Sequence, residues 1–179
     1  MNKYFLDYIE KNNKILQQID LKNLNKLFKE IKKIKLRRKK ILVFGNGAGA
    51  SIASHFANDL SKNTKIKCMS FDSSTHLTCY ANDYGYENWV KETIKIYYDK
   101  NDLIILISAS GNSNNMIEAA KFCNSKKISF FSLTGFNKKN KLKKSSKNNL
   151  WVNSSSYNQV EISQLIILLS IIDKLVLNK

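Results

Sequence analysis

The chain has 179 residues, of which 43% are hydrophobic and 25% are charged, and its formal net charge is +16. This length is enough for one well-buried core and short for two ordinary domains, so we expect a single domain over residues 1–179. No stretch approaches the roughly 18 uncharged apolar residues that a membrane span requires, which argues against a membrane protein.

The basic charge by itself would allow a nucleic-acid partner, because phosphate backbones attract clustered lysine and arginine. All but two of the 30 basic residues are lysine, however, and they are spread through nearly every segment. The basic runs at 32–40 and 138–147 have no interleaved aromatic residues of the kind that stack on single-stranded bases. We therefore expect solvated lysines and no nucleic-acid partner, although the charge would attract small anionic molecules.

The first residues mix Asp7, Glu10 and several lysines with apolar positions, so they lack the continuous apolar centre of a secretory signal. We expect a cytoplasmic protein. Its cysteines, Cys68, Cys79 and Cys123, are widely spaced among apolar neighbours and are predicted to be reduced and buried.

Apolar residues at helical spacing predict two amphipathic helices within residues 1–38. Asp20 is a plausible N-cap for the second helix, which would extend to about Lys35. This helical segment could cover a sheet or pack against another subunit, and the pattern leaves both open.

Residues 39–179 alternate short β-branched apolar runs with helical stretches, which is typical of a parallel sheet joined by crossover helices. The predicted strands are Ile41 to Phe44, Ile66 to Phe71, Leu103 to Ser108, Ile128 to Leu133 and Leu150 to Val152. The predicted helices are Ala50 to Ser61, Thr75 to Ala81, Tyr86 to Tyr98, Asn114 to Ser125 and Tyr157 to Leu177. The lysine-rich stretch 137–149 is predicted to be an exposed loop or a short frayed helix.

The first candidate binding segment is the loop at 45–51, between the first predicted strand of the sheet and a helix. Its glycines would let backbone N–H groups approach an anion at the helix N-terminus. The loop also fits a dinucleotide fingerprint through Gly45, Gly47 and Ala50, with Asp72 near the position of a ribose-binding acid. A P-loop fits less well, because no Lys-Ser/Thr pair follows the glycines.

The second candidate segment is Ser108-Ala109-Ser110-Gly111-Asn112-Ser113, which follows a predicted strand and opens a helix. Serine hydroxyls together with free amides at a helix N-terminus can surround a phosphate dianion. A dinucleotide-binding fold does not require such a hydroxyl-rich loop. The alternative is a serine-rich helix cap without a ligand.

Five short motifs occur in the order and spacing of a known family. They are Gly45-Asn46-Gly47, His55-Phe56-Ala57, Ala81-Asn82-Asp83-Tyr84-Gly85, the segment from Ile107 through the serine loop, and Leu133-Thr134-Gly135. Over about residues 40 to 135 the chain resembles the phosphoheptose isomerase branch of the sugar isomerase (SIS) domains.

The resemblance implies a three-layer, flavodoxin-like α/β fold with five parallel strands behind an N-terminal helical segment. It implies a homotetramer with active sites at subunit interfaces and isomerisation of sedoheptulose 7-phosphate, for heptose or surface-carbohydrate precursors. By position, the phosphate would be bound by Ser108, Ala109, Ser110 and Ser113, and the sugar pocket would be lined by Asn46, Gly47 and Asp83.

The catalytic positions depart from the family pattern. Asp59 stands at the family's glutamate, and the spacing of four puts it on one helix face with His55. In the last helix, Glu161 aligns with a glutamine ligand and Leu169 with the catalytic histidine. The resemblance then implies catalysis by Asp59, Glu161 and His55, and the same three residues as ligands of a zinc ion that some family members bind.

Three functions remain open at this point. The first is a phosphosugar aldose–ketose isomerase with Asp59 as the base. The second is a non-catalytic phosphosugar-binding or protein-interaction protein, similar to the isomerase-like relative that binds the bacterial replication initiator. The third is nicotinamide dinucleotide binding through the first loop. His76 could supply an acid, but a lone histidine is more often a surface or satisfied residue.

Overall fold

The computed structural model describes residues 3–177. The eight helices in this range are α1 Lys3–Gln17, α2 Leu21–Leu36, α3 Ala48–Thr64, α4 Ser74–Tyr84, α5 Trp89–Tyr97, α6 Asn114–Ser125, α7 Lys141–Ser145 and α8 Tyr157–Leu177. The five strands are β1 Lys40–Phe44, β2 Lys67–Ser70, β3 Leu103–Ser108, β4 Phe130–Thr134 and β5 Asn149–Trp151.

All five strands pair in parallel in the order β2-β1-β3-β4-β5. This order is the flavodoxin-like one, and it confirms the predicted fold class. The chain runs from β1 outward to β2 and then returns across β1 to reach β3, so the winding direction reverses between β1 and β3. The crevice at the carboxyl ends of these two strands is where open α/β sheets bind ligands.

Helices cover both faces of the sheet because alternate strand residues point to opposite sides. Ile41 and Val43 pack towards α1, α2, α3 and α8, whereas Leu42 and Phe44 pack towards α4, α5, α6 and α7. Every residue of β3 is buried, which fits the central strand of a three-layer domain.

The N-terminal helical segment covers the sheet on the α3 and α8 side. The Asp20 carboxylate caps α2 by accepting a hydrogen bond from the Asn23 backbone N–H at 3.0 Å, as predicted. Helix α1 buries little, and Phe5 and Ile9 on it are exposed. Within residues 3–177, no helix combines the length and apolarity that crossing a membrane would need.

Several element boundaries differ from the predicted ones. Strand β4 begins two residues later than predicted, because Ile128 N–H still donates to the Cys123 carbonyl at the end of α6. The lysine-rich stretch contains α7, a short helix that Asn140 caps by accepting from the Lys143 N–H at 2.9 Å. Helix α5 begins at Trp89, three residues later than the predicted start.

All three cysteines are free, and their burial differs. Cys123 is buried, and burial raises the pKa of its thiol to about 12. Cys68 is partly buried. The prediction of burial is wrong for Cys79, which is exposed because α4 contributes no fully buried residue.

Candidate functional site

The turn between β1 and α3 brings backbone amides to the crevice between β1 and β3. Gly45 must be glycine, because a Cβ there would overlap the Gly49 backbone. Gly47 has a φ of 52° and forms the N-cap of α3. The N–H groups of Gly49 and Ala50 in the first helical turn already donate to the Asn46 and Gly47 carbonyls at 2.9 Å, so the turn offers an anion mainly the positive end of the helix dipole. The turn therefore places the N-terminus of α3 at the crevice, where the helix dipole favours an anion.

The serine loop lies beside this turn, after β3. The hydroxyls of Ser108 and Ser113 are 3.0 Å apart and hydrogen-bonded. Ser113 is the N-cap of α6, but its side chain makes no capping hydrogen bond. The alternative of a simple serine cap therefore loses support, because the hydroxyl faces its partner serine instead of the helix N–H groups.

An amide pair joins the two loops. Asn46 donates to the Asn115 side-chain oxygen at 3.0 Å, and Asn115 donates back to Asn46 at 2.8 Å. Asn115 is buried at the start of α6. The predicted sugar contact Asn46 thus also fixes the distance between the loops, and Asn115 is a partner that the sequence reasoning missed.

A cavity of about 140 Å³, which we call the serine cavity, is enclosed by the two loops and the start of α8. Its lining residues are Asn46, Gly49, Ile107, Ser108, Ala109, Ser110, Ser113, Tyr157, Glu161 and Gln164. The predicted phosphate residues are therefore all in this lining. Tyr157 and Gln164 were not predicted, although Gln164 follows Glu161 by one helical turn and so shares its face of α8.

A larger cavity of about 400 Å³, which we call the helix cavity, lies next to it between α1, α3 and α8. It is lined by Tyr8, Ala48, Ser51, Ile52, His55, Asn158, Glu161, Ile162 and Leu165. Glu161 lines both cavities, and partial burial raises the pKa of its carboxyl. Glu161 is the one residue that the two linings share, so it stands at the junction of the cavities.

His55 and Asp59 form a pair on α3, with His55 Nε2 3.2 Å from the Asp59 Oδ2. Their side chains are 49% and 37% exposed. His55 lines the helix cavity, whereas Asp59 is in the lining of neither cavity. Asp59 thus reaches the site in this chain only through His55.

The predicted zinc ligands do not come together as a set of three. Across the described part of the chain, no group of three or more His, Cys, Asp and Glu side chains is positioned to hold a metal ion. Asp59 is turned to His55 along α3, while Glu161 lies on a different helix at the cavity junction. The donors of one protomer therefore do not fit the predicted zinc site.

Two further predicted positions lie away from the cavities. Asp83 is exposed at the end of α4 and accepts a hydrogen bond from the Asn82 side chain at 3.0 Å. His76 is 2.8 Å from the Thr93 hydroxyl and stacks on Tyr80, and burial lowers its pKa. Within one protomer, neither residue faces the serine cavity.

Comparison with known proteins places these features in a family. The SIS domain model matches residues 7–135. A phosphoheptose isomerase of Cytophaga hutchinsonii is 38% identical over 101 residues, covering 54% of this chain and 53% of the relative. That of Histophilus somni is 30% identical over 140 residues, covering 75% and 67% respectively.

The chain thus spans about half the length of the Cytophaga relative. The structural similarity covers more of the chain than the sequence similarity does. A solved phosphoheptose isomerase structure from Neisseria gonorrhoeae superimposes with a TM-score of 0.88 at 22% identity, over 97% of this chain and 96% of that one. At that identity the superposition supports the fold and not a shared activity.

Proposed function

The chain belongs to the SIS domain family, and from this premise we propose that it is an aldose–ketose isomerase of a phosphosugar of the sedoheptulose 7-phosphate type. Such an activity would serve the synthesis of heptose or surface-carbohydrate precursors. The observation that carries the proposal is the serine cavity, in which the Ser108 and Ser113 hydroxyls share one lining with Glu161. The names of the relatives, phosphoheptose isomerases, support the same reaction class.

The phosphate group would bind in the serine cavity. The hydroxyls of Ser108, Ser110 and Ser113 are donors that lie beside the N-termini of α3 and α6, which suits a dianion that only accepts hydrogen bonds. The net charge of +16 would raise the local concentration of anionic substrate. Asn46 and the Gly47 turn would contact the first part of the sugar chain, and Asp83 would have to act from elsewhere, such as a neighbouring subunit.

The sugar would extend from the phosphate past Glu161 into the helix cavity, where His55 is accessible. Isomerisation requires a base that removes a proton from the carbon beside the carbonyl and an acid that moves protons between the two oxygens. We assign the base to the His55–Asp59 pair. We assign oxygen protonation to Glu161, because its raised carboxyl pKa makes it a better proton carrier than an exposed glutamate.

We also propose a cytoplasmic homotetramer with its active sites at subunit interfaces. The half-exposed His55 and Asp59 and the exposed Ile162 beside them would be shielded from water by a second copy. Zinc takes no part in the proposed steps, since residues 3–177 of one protomer do not bring three such ligands together. Zinc at His55, Asp59 and Glu161 stays a prediction, which metal analysis of the purified protein would test.

The direct test is to incubate the purified protein with sedoheptulose 7-phosphate in deuterated water and to follow the sugar by NMR. An isomerase would produce an aldose phosphate and incorporate solvent deuterium at the carbons next to the carbonyl. Glu161→Gln should retain binding of the sugar phosphate and lose most of the turnover. Binding without turnover, with and without added zinc, would overturn the catalytic proposal.

One observation favours the non-catalytic alternative. Leu169 replaces the family's histidine, His76 is bonded to Thr93, and neither histidine of the chain lines the serine cavity itself. A phosphosugar-binding or replication-initiator-binding protein would need the cavity without a complete set of proton-transfer groups. A stoichiometric complex with purified replication initiator, together with absence of turnover, would support it.

Dinucleotide binding through Gly45, Gly47 and Ala50 accounts for less of the site. It leaves the paired serine hydroxyls and Glu161 without a role. When the protein is titrated with NADH, we expect the fluorescence of NADH to stay unchanged.

A further inference from the structure

Gln164 has an unusual position in the serine cavity. It is fully buried on α8, with 0% of its surface exposed, and its side chain lines the cavity. Neither its Nε2 nor its Oε1 has a hydrogen-bond partner among residues 3–177. Buried amides normally find partners, because leaving one without a hydrogen bond costs its full desolvation.

Other buried polar groups on the same helix do have partners. The Gln159 Oε1 accepts from the Ser154 hydroxyl at 2.9 Å, and the Ser163 hydroxyl donates to the Gln159 carbonyl at 2.7 Å. Gln159 and Ser163 thus have hydrogen-bond partners within the protein. The side-chain amide of Gln164, which lines the cavity, has none among residues 3–177. Because Gln164 also lines the cavity, a molecule bound there could be the partner of both atoms.

The amide indicates what kind of group that partner is. A phosphate dianion offers only acceptors, so it could satisfy Nε2 but not Oε1. A sugar hydroxyl both donates and accepts, and it could satisfy both atoms. Phosphate donors are already supplied by Ser108, Ser110 and Ser113 on the other wall of the cavity.

We infer that Gln164 is a specificity-determining residue that binds a sugar hydroxyl next to the phosphate and so distinguishes a polyol phosphate from phosphate alone. This inference rests on the proposed function, because it needs a phosphosugar in the serine cavity. The neutral amide also fits its place one turn after Glu161, where a second carboxylate would repel the phosphate.

The test is calorimetric titration of the full chain with two probes, sedoheptulose 7-phosphate and inorganic phosphate. Gln164→Met keeps the shape of the side chain and removes both hydrogen-bonding atoms. We expect the dissociation constant for the sugar phosphate to rise about tenfold and that for phosphate to stay unchanged. The melting temperature of the ligand-free variant should rise, because an unpartnered buried amide has been removed.

Gln164→Glu is a second, isosteric variant in case the methionine packs poorly. It should weaken the binding of both probes, because it adds a carboxylate to an anion site. Gln159→Met serves as a control for loss of a buried amide on α8 outside the cavity, and should leave the ratio of the two dissociation constants unchanged.

Two results would contradict the assignment of Gln164 alone. In the first, the wild type prefers the sugar phosphate and Gln164→Met keeps that preference. In the second, Gln164→Met weakens both probes by the same factor. If the wild type does not prefer the sugar phosphate over phosphate, the proposed function fails and the role of Gln164 fails with it.

Discussion

At the scale of single residues, the site depends on side chains that do not serve the fold. Ser113 stands at the N-cap of α6, and its hydroxyl is directed to Ser108 instead of the helix. Gln164 is buried without a protein partner. Glu161 keeps a carboxyl partly buried between two cavities. Each of these arrangements costs stability or adds none, which is expected where residues are retained for ligand binding.

Ser113→Ala separates the ligand role from the capping role. Loss of one hydroxyl donor should weaken binding of inorganic phosphate about tenfold, because charge-assisted hydrogen bonds are among the stronger ones. The free energy of unfolding should change little, since the Ser113 side chain does not cap α6. A fall of about 1 kcal/mol in the free energy of unfolding with unchanged phosphate affinity would instead identify a structural cap. Ser145→Ala, at a partly exposed serine of α7 that lies outside both cavities, is the control.

Glu161→Gln should change how stability depends on pH. The raised carboxyl pKa means that the folded protein binds the Glu161 proton more tightly than the unfolded chain does. The contribution of this group to stability is therefore lost as pH rises from the ordinary value of 4.5 through the raised pKa.

The melting temperature of Glu161→Gln relative to wild type should then be higher at about pH 7 than at about pH 4. Thermal unfolding in buffers of equal ionic strength measures this difference. Glu10→Gln, on the exposed surface of α1, controls for the loss of one negative charge. A difference between variant and wild type that is the same at both pH values would contradict the burial of the Glu161 carboxyl.

At the scale of elements, the site is built by two strand-to-helix connections on either side of the reversal in winding. The β1–α3 turn passes through Gly45 and Gly47, and the β3–α6 loop passes through Gly111, whose φ is 67°. The Asn46–Asn115 amide pair holds the two connections together. The cavity between them therefore depends on backbone geometry as much as on the side chains.

Two glycines of the same turn give a matched comparison. A Cβ at Gly45 would overlap backbone atoms of Gly49, which cannot move without unwinding the start of α3. A Cβ at Gly49 would first meet the Ile107 side chain at 3.4 Å, an ordinary contact. Gly45→Ala should lower the melting temperature by several degrees and abolish phosphate binding, and Gly49→Ala should melt close to wild type. Equal melting temperatures for both variants would contradict the tight turn.

Much of this architecture could be predicted because strongly apolar runs such as Ile41 to Phe44 and Leu103 to Ser108 fit only buried strands of a parallel sheet. The β1–α3 turn and the serine loop could be placed at the same edge of the sheet, because each directly follows a parallel strand. The exposure of Asp83 within one protomer could not be foreseen, because a motif gives no information about which way its helix faces. Gln164 could not be found, because α8 is apolar nearly all round and the burial of one amide depends on tertiary packing.

At the scale of the whole molecule, apolar residues remain exposed on the helical layer that borders the site. On α1, Tyr4, Phe5 and Ile9 are more than half exposed, and Tyr8 of the same helix lines the helix cavity. On α8, Ile162 and Ile166 are also exposed. A chain with a net charge of +16 is not expected to associate through general attraction, so any assembly needs a specific apolar surface such as this one.

Phe5→Asp tests whether this layer joins protomers. Phe5 is 63% exposed, so the substitution should leave the protomer folded, while a carboxylate buried between protomers would oppose assembly. We expect light scattering to show a tetramer for wild type and a smaller species for the variant. Turnover should fall because the helix cavity beside α1 loses its cover, whereas phosphate binding in the serine cavity should persist.

Ile96→Asp is a matched control, since Ile96 is 64% exposed and lies on α5 in the opposite layer. It should keep both the mass and the turnover of wild type, because the phosphate loops and both cavities lie away from its exposed face. If Ile96→Asp dissociates the protein and Phe5→Asp does not, the interface lies on the α5 layer. The proton-transfer groups around His55 would then face water in the assembled protein, which is a poor setting for carbon-bound proton removal.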